Sequence, residues 1–209
     1  MHVLRYFREE VSFLMEDKKV EKIGWQKSVV LYLHDLMYML ITVMLLFLLL
    51  FRVIIVSGDS MRMTLIDGDY LLLLGNVLYQ EPEQGDVVVI SKESFRDGEP
   101  IVKRVIATEG QIVDIDFQNG IVYVDGLPIE EDYINMPTTV SEGMLFPLLV
   151  EENCVFVLGD NRDVSMDSRH PSIGLIDRRE ILGKAIFLVY PGVDEVSGRQ
   201  NLDRIGAIA

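Results

Sequence analysis

What is scarce sets the chemistry open to this chain. It has three histidines, His2, His34 and His170, and one cysteine, Cys154. Only His170 follows residue 52, so a two-histidine metal site or an H-E-x-x-H motif has no residues to build it, and neither a metal nor a cofactor is expected. A Ser-His-Asp triad would have to use His170, which stands in the loop-like run Ser168-Arg169-His170-Pro171-Ser172. No glycine-rich phosphate loop of the required spacing is present. A hydrolase built from this chain therefore takes its base from something other than histidine. Lysine serves when burial lowers its pKa from about 10.4 by several units.

Residues 53–209 hold three lysines, Lys92, Lys103 and Lys184. Lys92 lies between Ser91 and Glu93 in a polar stretch and reads as a solvated surface residue. Lys103 sits in Ile101-Val102-Lys103-Arg104-Val105-Ile106, where strand alternation puts Ile101, Lys103 and Val105 on one face. An ammonium on an apolar face is costly, so it is neutral, paired or snorkelling. Lys184 shares its face with Leu182 and Ile186, and the pattern alone does not separate it from Lys103. A nucleophile is offered by Val56-Ser57-Gly58-Asp59-Ser60-Met61, because a glycine two residues before a serine lets the backbone bend and approach a substrate closely. On its own this pattern more often marks an ordinary strand-to-turn junction.

The elements that must position these residues read as short strands. Candidates cover 70–74, 86–90, 101–107, 111–116, 121–124, 154–158 and 183–189, with turn signals between them at Asp67-Gly68, Gln84-Gly85, Asp97-Gly98, Glu109-Gly110, Asn119-Gly120 and Asp125-Gly126. Asn119-Gly120, flanked by alternating apolar residues, predicts a hairpin. Residues 53–209 thus read as an all-β unit, with a smaller β insertion around 107–150. Cys154 opens the apolar run 154–158 and reads as a small core residue; one cysteine cannot form an internal disulfide. The stretch 144–150 is unusually apolar between acidic neighbours and lies either against a membrane surface or in the core.

Ahead of the β unit, residues 36–51 carry no charge. Extended back to Val29 and closed by a snorkelling Arg52, the segment 29–52 reaches the length of about 20 residues needed for a membrane span. The apolar run begins too late for a signal peptide and no A-x-A-like site follows it, so a permanent anchor is expected. Residues 1–28 read as a short, charged, amphipathic cytoplasmic segment. Six lysines and arginines precede the span, which places the N-terminus in the cytoplasm and residues 53–209 outside. Residues 1–35 balance six basic against six acidic groups, Arg52 adds one positive charge, and residues 53–209 carry 12 basic and 27 acidic groups, a net of -15. A unit that acidic repels phosphate backbones, which argues against nucleic-acid binding.

Four stretches follow one another along the chain: Ser57-Gly58-Asp59-Ser60-Met61-Arg62-Met63-Thr64-Leu65, Gln84-Gly85-Asp86-Val87-Val88-Val89, Val102-Lys103-Arg104-Val105-Ile106, and Gly159-Asp160-Asn161-Arg162-Asp163-Val164-Ser165-Met166-Asp167-Ser168-Arg169. The last has the long and specific form G-D-N-R-x-x-S-x-D-S-R. In content and order they resemble the serine box, the R-G-D-h-V strand, the lysine box and the final box of type I signal peptidases, in the small Gram-positive-like form with one N-terminal anchor. The resemblance spans nearly the whole β unit.

It implies a mainly β fold, a transmembrane helix followed by an all-β extracytoplasmic catalytic domain. It implies a membrane-bound serine endopeptidase that removes signal peptides from exported preproteins having small residues at the first and third positions before the cut. Ser60 would attack the scissile carbonyl, and neutral Lys103 would take its proton and return one to the leaving amine. Ser165 would orient the Lys103 amine, Asp167 and Arg169 would form an ion pair supporting that loop, and Asp160 and Arg162 would be further scaffold. Gly58 and Met61 would lie at the oxyanion and substrate positions. Partners would be preproteins and the lipid bilayer, with no cofactor, metal or nucleic acid. Two positions depart from the pattern. Met63 stands where the family usually has proline, which implies a looser turn. Gly58 stands where some members have a serine that helps bind the oxyanion, so that role would rest mainly on the Ser60 N–H. Two rival readings are a self-cleaving Ser–Lys regulator, disfavoured by the anchor and the acidic unit, and a tethered, non-catalytic binding domain with a degenerate site.

Overall fold

The computed structural model describes residues 2–208 in their backbone, with side chains from Gly24 onward except that of Arg96. The chain divides into two units, residues 1–48 and 49–209.

The first unit is formed by the helix α1, His2–Leu50, whose last two residues fall in the second unit. Its part Gly24–Leu50, 27 residues, is long and apolar enough to cross a membrane by length and composition. Large apolar side chains along it, from Trp25 through Leu33 and Ile41 to Leu49, are exposed, whereas a core helix would bury a stripe. Ser28 and Thr42 turn their hydroxyls back to the carbonyls of Gly24 and Tyr38, at 3.0 and 2.9 Å, so neither needs a partner outside the helix. The amphipathic character expected for residues 1–28 rests on the side chains of 1–23, which lie outside the described ones. Phe51 and Arg52, expected at the end of the span, instead open the first strand. The β-branched run Val53-Ile54-Ile55 explains the switch, because it pairs in register with the strand at 70–75.

The second unit is built on strands β1 (Phe51–Ile55), β2 (Tyr70–Gly75), β3 (Val87–Ile90), β4 (Ile101–Thr108), β5 (Ile112–Asp116), β6 (Ile121–Val124), β7 (Leu127–Pro128), β8 (Leu148–Leu149), β9 (Cys154–Leu158), β10 (Ile176–Asp177), β11 (Ile181–Tyr190), β12 (Val193–Asp194), β13 (Arg199–Gln200) and β14 (Gly206–Ala207). The main sheet is antiparallel in the order β1-β2-β11-β3-β4-β9-β10, with β14 also on β11. β7-β6-β5-β8 form a second sheet and β12-β13 a hairpin. Register shifts in β4 and β11 bend the main sheet.

β3 shows why its sequence lacks alternation. Val87 and Val89 join one buried cluster with Met61, Leu65 and Leu71, while Val88 and Ile90 join another with Val105 and Val157. Both faces are covered, so every residue is apolar. A third cluster, including Ile106, Phe156, Val113 and Val122, joins β4 and β9 to the second sheet. Cys154 is partly buried against it, and burial raises its thiol pKa above the ordinary value. The stretch 144–150 is split: Phe146 and Leu148 pack on the third cluster, whereas Leu145 is 86% exposed. The predicted hairpin is present, but its loop has four residues, 117–120. Asp116 ties it off by accepting from the Gln118 and Asn119 N–H groups, and Gly120 takes φ +71° at its end.

Candidate active site

Ser60 lies in a loop that leaves β1 and returns to β2. The loop is closed at its base by Val56 N–H on Asp69 O at 2.8 Å and Gly68 N–H on Val56 O at 2.9 Å. Gly58 holds φ +88°, a region that favours glycine, and its N–H donates to Asp67 Oδ1 at 2.8 Å. The Ser60 N–H has no protein acceptor among the described residues. Met61, expected at a substrate position, is 1% exposed and sits in the first hydrophobic cluster. Its side chain anchors the turn from the core side. Met63 takes φ +101°, a conformation proline cannot adopt. The turn around it is nonetheless hydrogen-bonded, with Thr64 and Leu65 N–H both on Met61 O at 3.1 and 2.8 Å.

β4 brings the lysine. Lys103 pairs with Val88 across the β3–β4 ladder, is 3% exposed, and donates from Nζ to Ser60 Oγ at 2.7 Å. Geometry separates it from the other two lysines. Lys184 Nζ forms an ion pair with Asp86 Oδ1 at 2.5 Å, while the other Asp86 oxygen accepts from the Tyr79 hydroxyl. Lys92 is not solvated as expected: its ammonium donates to the carbonyls of Ile173 and Leu175 at 2.8 and 2.9 Å. His170 is engaged by Ser172, whose hydroxyl lies 2.7 Å from Nδ1.

The segment 159–169 closes the site from β9. Asn161 donates its N–H to Ser60 O at 3.0 Å and its side-chain amide to Asp59 O at 2.9 Å. Gly159 is needed for this contact, because a Cβ there would overlap Ser60 O and the Ser165 side chain. Asp160 forms a buried pair with Arg104, Nε to Oδ1 at 3.0 Å and Nη2 to Oδ2 at 2.9 Å, and accepts from Thr64 Oγ1 at 2.5 Å. Arg104 also lies 4.0 Å from the Tyr133 ring; burial and the Glu131 carboxylate push that phenol up to about 12. Arg162 pairs with Glu131 and donates to Gly159 O. Asp167 and Arg169, both fully buried, form a two-point ion pair at 2.9 Å on each arm. Asp167 also accepts from Gly159 N–H at 3.0 Å, and Arg169 donates to the carbonyls of Arg162 and Ser165.

Ser165 is fully buried beside Gly159, but its hydroxyl has no hydrogen-bond partner among the described residues and does not donate to Lys103 here. Its N–H is fixed on Asn161 O and its carbonyl on Arg169, leaving the side-chain torsion as the remaining freedom. The cleft at Ser60 has a volume of about 230 Å³ and is lined by Gly58, Ser60, Phe95, Lys103, Val164 and Met166 among others. A larger one of about 580 Å³, at Asp86, Arg104, Tyr133 and Lys184, includes neither Ser60 nor Lys103. In the sequence Asn161 stands out only as part of the final box. No spacing or burial pattern marks an asparagine as the holder of the Ser60 carbonyl.

Residues 29–190 match the family described as signal peptidase, peptidase S26. The chain is 36% identical over 143 residues to a probable signal peptidase I-1 of Synechocystis, covering 65% of this chain and 69% of that one. It is 30% identical over 182 residues to signal peptidase I S of Bacillus subtilis, covering 83% and 95%. A solved signal peptidase I of Enterococcus faecalis aligns at 29% identity with a TM-score of 0.42, covering 50% of this chain and 96% of that one. The chain belongs to the signal peptidase family, peptidase S26, and is a serine endopeptidase.

Proposed function

We propose that this enzyme removes signal peptides from exported preproteins with Ser60 as nucleophile and Lys103 as general base. The observation that carries the reading is the buried Lys103 amine at 2.7 Å from Ser60 Oγ. Burial disfavours the charged ammonium. Once the amine has shed its charge, the same separation lets Ser60 donate its proton to Nζ as Oγ attacks the scissile carbonyl carbon. The developing oxyanion takes the Ser60 N–H. The Lys103 ammonium then protonates the leaving amine as the peptide bond breaks. A water, deprotonated by the same amine, hydrolyses the acyl-enzyme. Ser165, whose hydroxyl has no partner in the resting site, is the group to fix the amine's orientation by a turn of its side chain. Asp167 and Arg169 hold the segment that presents it.

An extended substrate has an edge to pair with. β4 is bonded to β3 along Ile101–Arg104, but the β9 ladder begins only at Arg104, so residues 101–103 have an open side next to Ser60. Gly24–Leu50 serves as a membrane span. The excess of lysine and arginine before it puts residues 1–28 in the cytoplasm and residues 53–209 outside, at the face where preproteins emerge. Replacing Lys103 by Ala in the full chain abolishes cleavage of a preprotein and leaves the circular dichroism spectrum intact; full activity in that variant would refute the reading.

A further inference from the structure

Residues beyond 190 lie outside the segment matched to the family, yet they fold back onto the loop that carries Ser60. Gly192 N–H donates to Asp69 Oδ1 at 2.8 Å. Arg204 donates from Nη1 to Asp69 Oδ1 at 2.9 Å, and from Nη2 both to Asp69 Oδ2 at 2.6 Å and to the carbonyl of Thr64 at 3.1 Å. Asp69 is fully buried, and its backbone carbonyl closes the base of the loop on Val56. The only other donor to its carboxylate among the described residues is the Ile66 N–H.

Thr64, four residues after Ser60, is therefore held from two sides. Arg204 takes its carbonyl, and Asp160 takes its hydroxyl at 2.5 Å. Asp160 immediately precedes Asn161, whose N–H holds Ser60 O. Lys103, by contrast, is carried by the β3–β4 ladder, in which it pairs with Val88. The clamp thus acts on one partner of the Ser60–Lys103 contact and leaves the other in place. A displacement of about 1 Å between reacting groups is enough to slow a reaction by roughly a hundredfold.

We propose that Arg204 is a positioning residue for Ser60, holding the 64–69 limb of the nucleophile loop so that Ser60 Oγ stays within reach of the Lys103 amine. The inference rests on the reading of Ser60 as nucleophile. The test uses the full chain in detergent and compares wild type, Arg204→Gln and Arg204→Lys. Three quantities are measured well below each melting temperature: the rate of Ser60 labelling by a serine-directed acylating probe, and kcat and KM for a signal-peptide substrate. The expected result is a fall of at least about tenfold in labelling rate and in kcat for Arg204→Gln, with KM within about twofold and Arg204→Lys in between. Both variants folded and labelled at the wild-type rate, even with lowered melting temperatures, would overturn the proposal and leave Arg204 a residue of stability alone. Where Arg204→Gln fails to fold, Arg204→Lys decides, a slowing of about threefold or more supporting the proposal and an unchanged rate overturning it. A wild type that is not labelled at Ser60 would overturn the nucleophile reading itself, and the inference with it.

Discussion

Asn161 donates its backbone N–H to the carbonyl of Ser60 at 3.0 Å, across a sequence gap of about a hundred residues. That bond joins the Ser60 turn to the segment 159–169, while Lys103 reaches the hydroxyl of the same serine from β4. Ser60 is thus held by its backbone from one side and engaged through its side chain from another. Small changes at either contact act on activity and on stability in different proportions.

Gly159→Ala places a methyl group where Ser60 O and Ser165 already sit. The segment has to move away from the nucleophile. kcat for a signal-peptide substrate falls by about 10²-fold, and a thermal melt shows a lower midpoint. An alanine variant with wild-type kcat would mean that the close packing of 159 on 60 does not matter for catalysis.

Ser165→Ala has the opposite signature. The hydroxyl is buried without a partner, so removing it costs no hydrogen bond in the resting fold. Denaturant unfolding shows stability equal to or above wild type, whereas kcat falls by about 10- to 100-fold if the hydroxyl orients Lys103 during turnover. Unchanged kcat would remove Ser165 from the mechanism.

Lys184→Met separates the two lysines that sequence pattern leaves equal. Its ammonium is engaged by Asp86, not by Ser60. Cleavage per folded molecule stays within about twofold of wild type, with some loss of stability because Asp86 loses its ion pair. Abolished cleavage in a folded variant would reverse the assignment of the base.

Glu142 gives a pH dependence of stability. Burial raises its carboxyl pKa, with Asp167 adding to the effect and Arg169, 3.7 Å away, opposing it. A carboxyl raised in the folded state binds its proton more tightly there than in the unfolded chain. Its stabilising contribution is therefore present at low pH and lost as pH rises through the folded value. Glu142→Gln has no such loss. The melting temperature of the variant minus that of wild type grows as pH rises from about 4 to about 7, and a difference independent of pH would contradict the assignment.

Much of the β unit was legible because burial writes itself into sequence. The seven strands expected from apolar runs and turn signals all appear, with ends shifted by a few residues, since Val, Ile and Leu dominate where both sheet faces are covered. From composition and alternation Ser60 and Lys103 were legible as types but not as a pair, because the face that holds Lys103 looks like the face that holds Lys184; the resemblance of the boxes paired them, and in the structure the contacts with Ser60 and Asp86, distant in sequence, tell the two lysines apart. The surroundings of Met61 and Lys92 were illegible for a related reason. A methionine after a nucleophile can line a cleft or fill a core, and a lysine in a polar run can reach buried carbonyls with its four-carbon stem. The contribution of residues 191–208 left no local signal, because Arg204 acts on Asp69 across 135 positions.

The central claim is that Lys103 activates Ser60. Intact-mass measurement of labelling by a serine-directed acylating probe tests it most directly, with wild type, Ser60→Ala and Lys103→Met treated alike. The account predicts one adduct in wild type, mapped to the peptide containing Ser60, none in Ser60→Ala, and a rate lowered by about 10³-fold or more in a folded Lys103→Met. An adduct that persists in Ser60→Ala, or wild-type labelling in Lys103→Met, would contradict it.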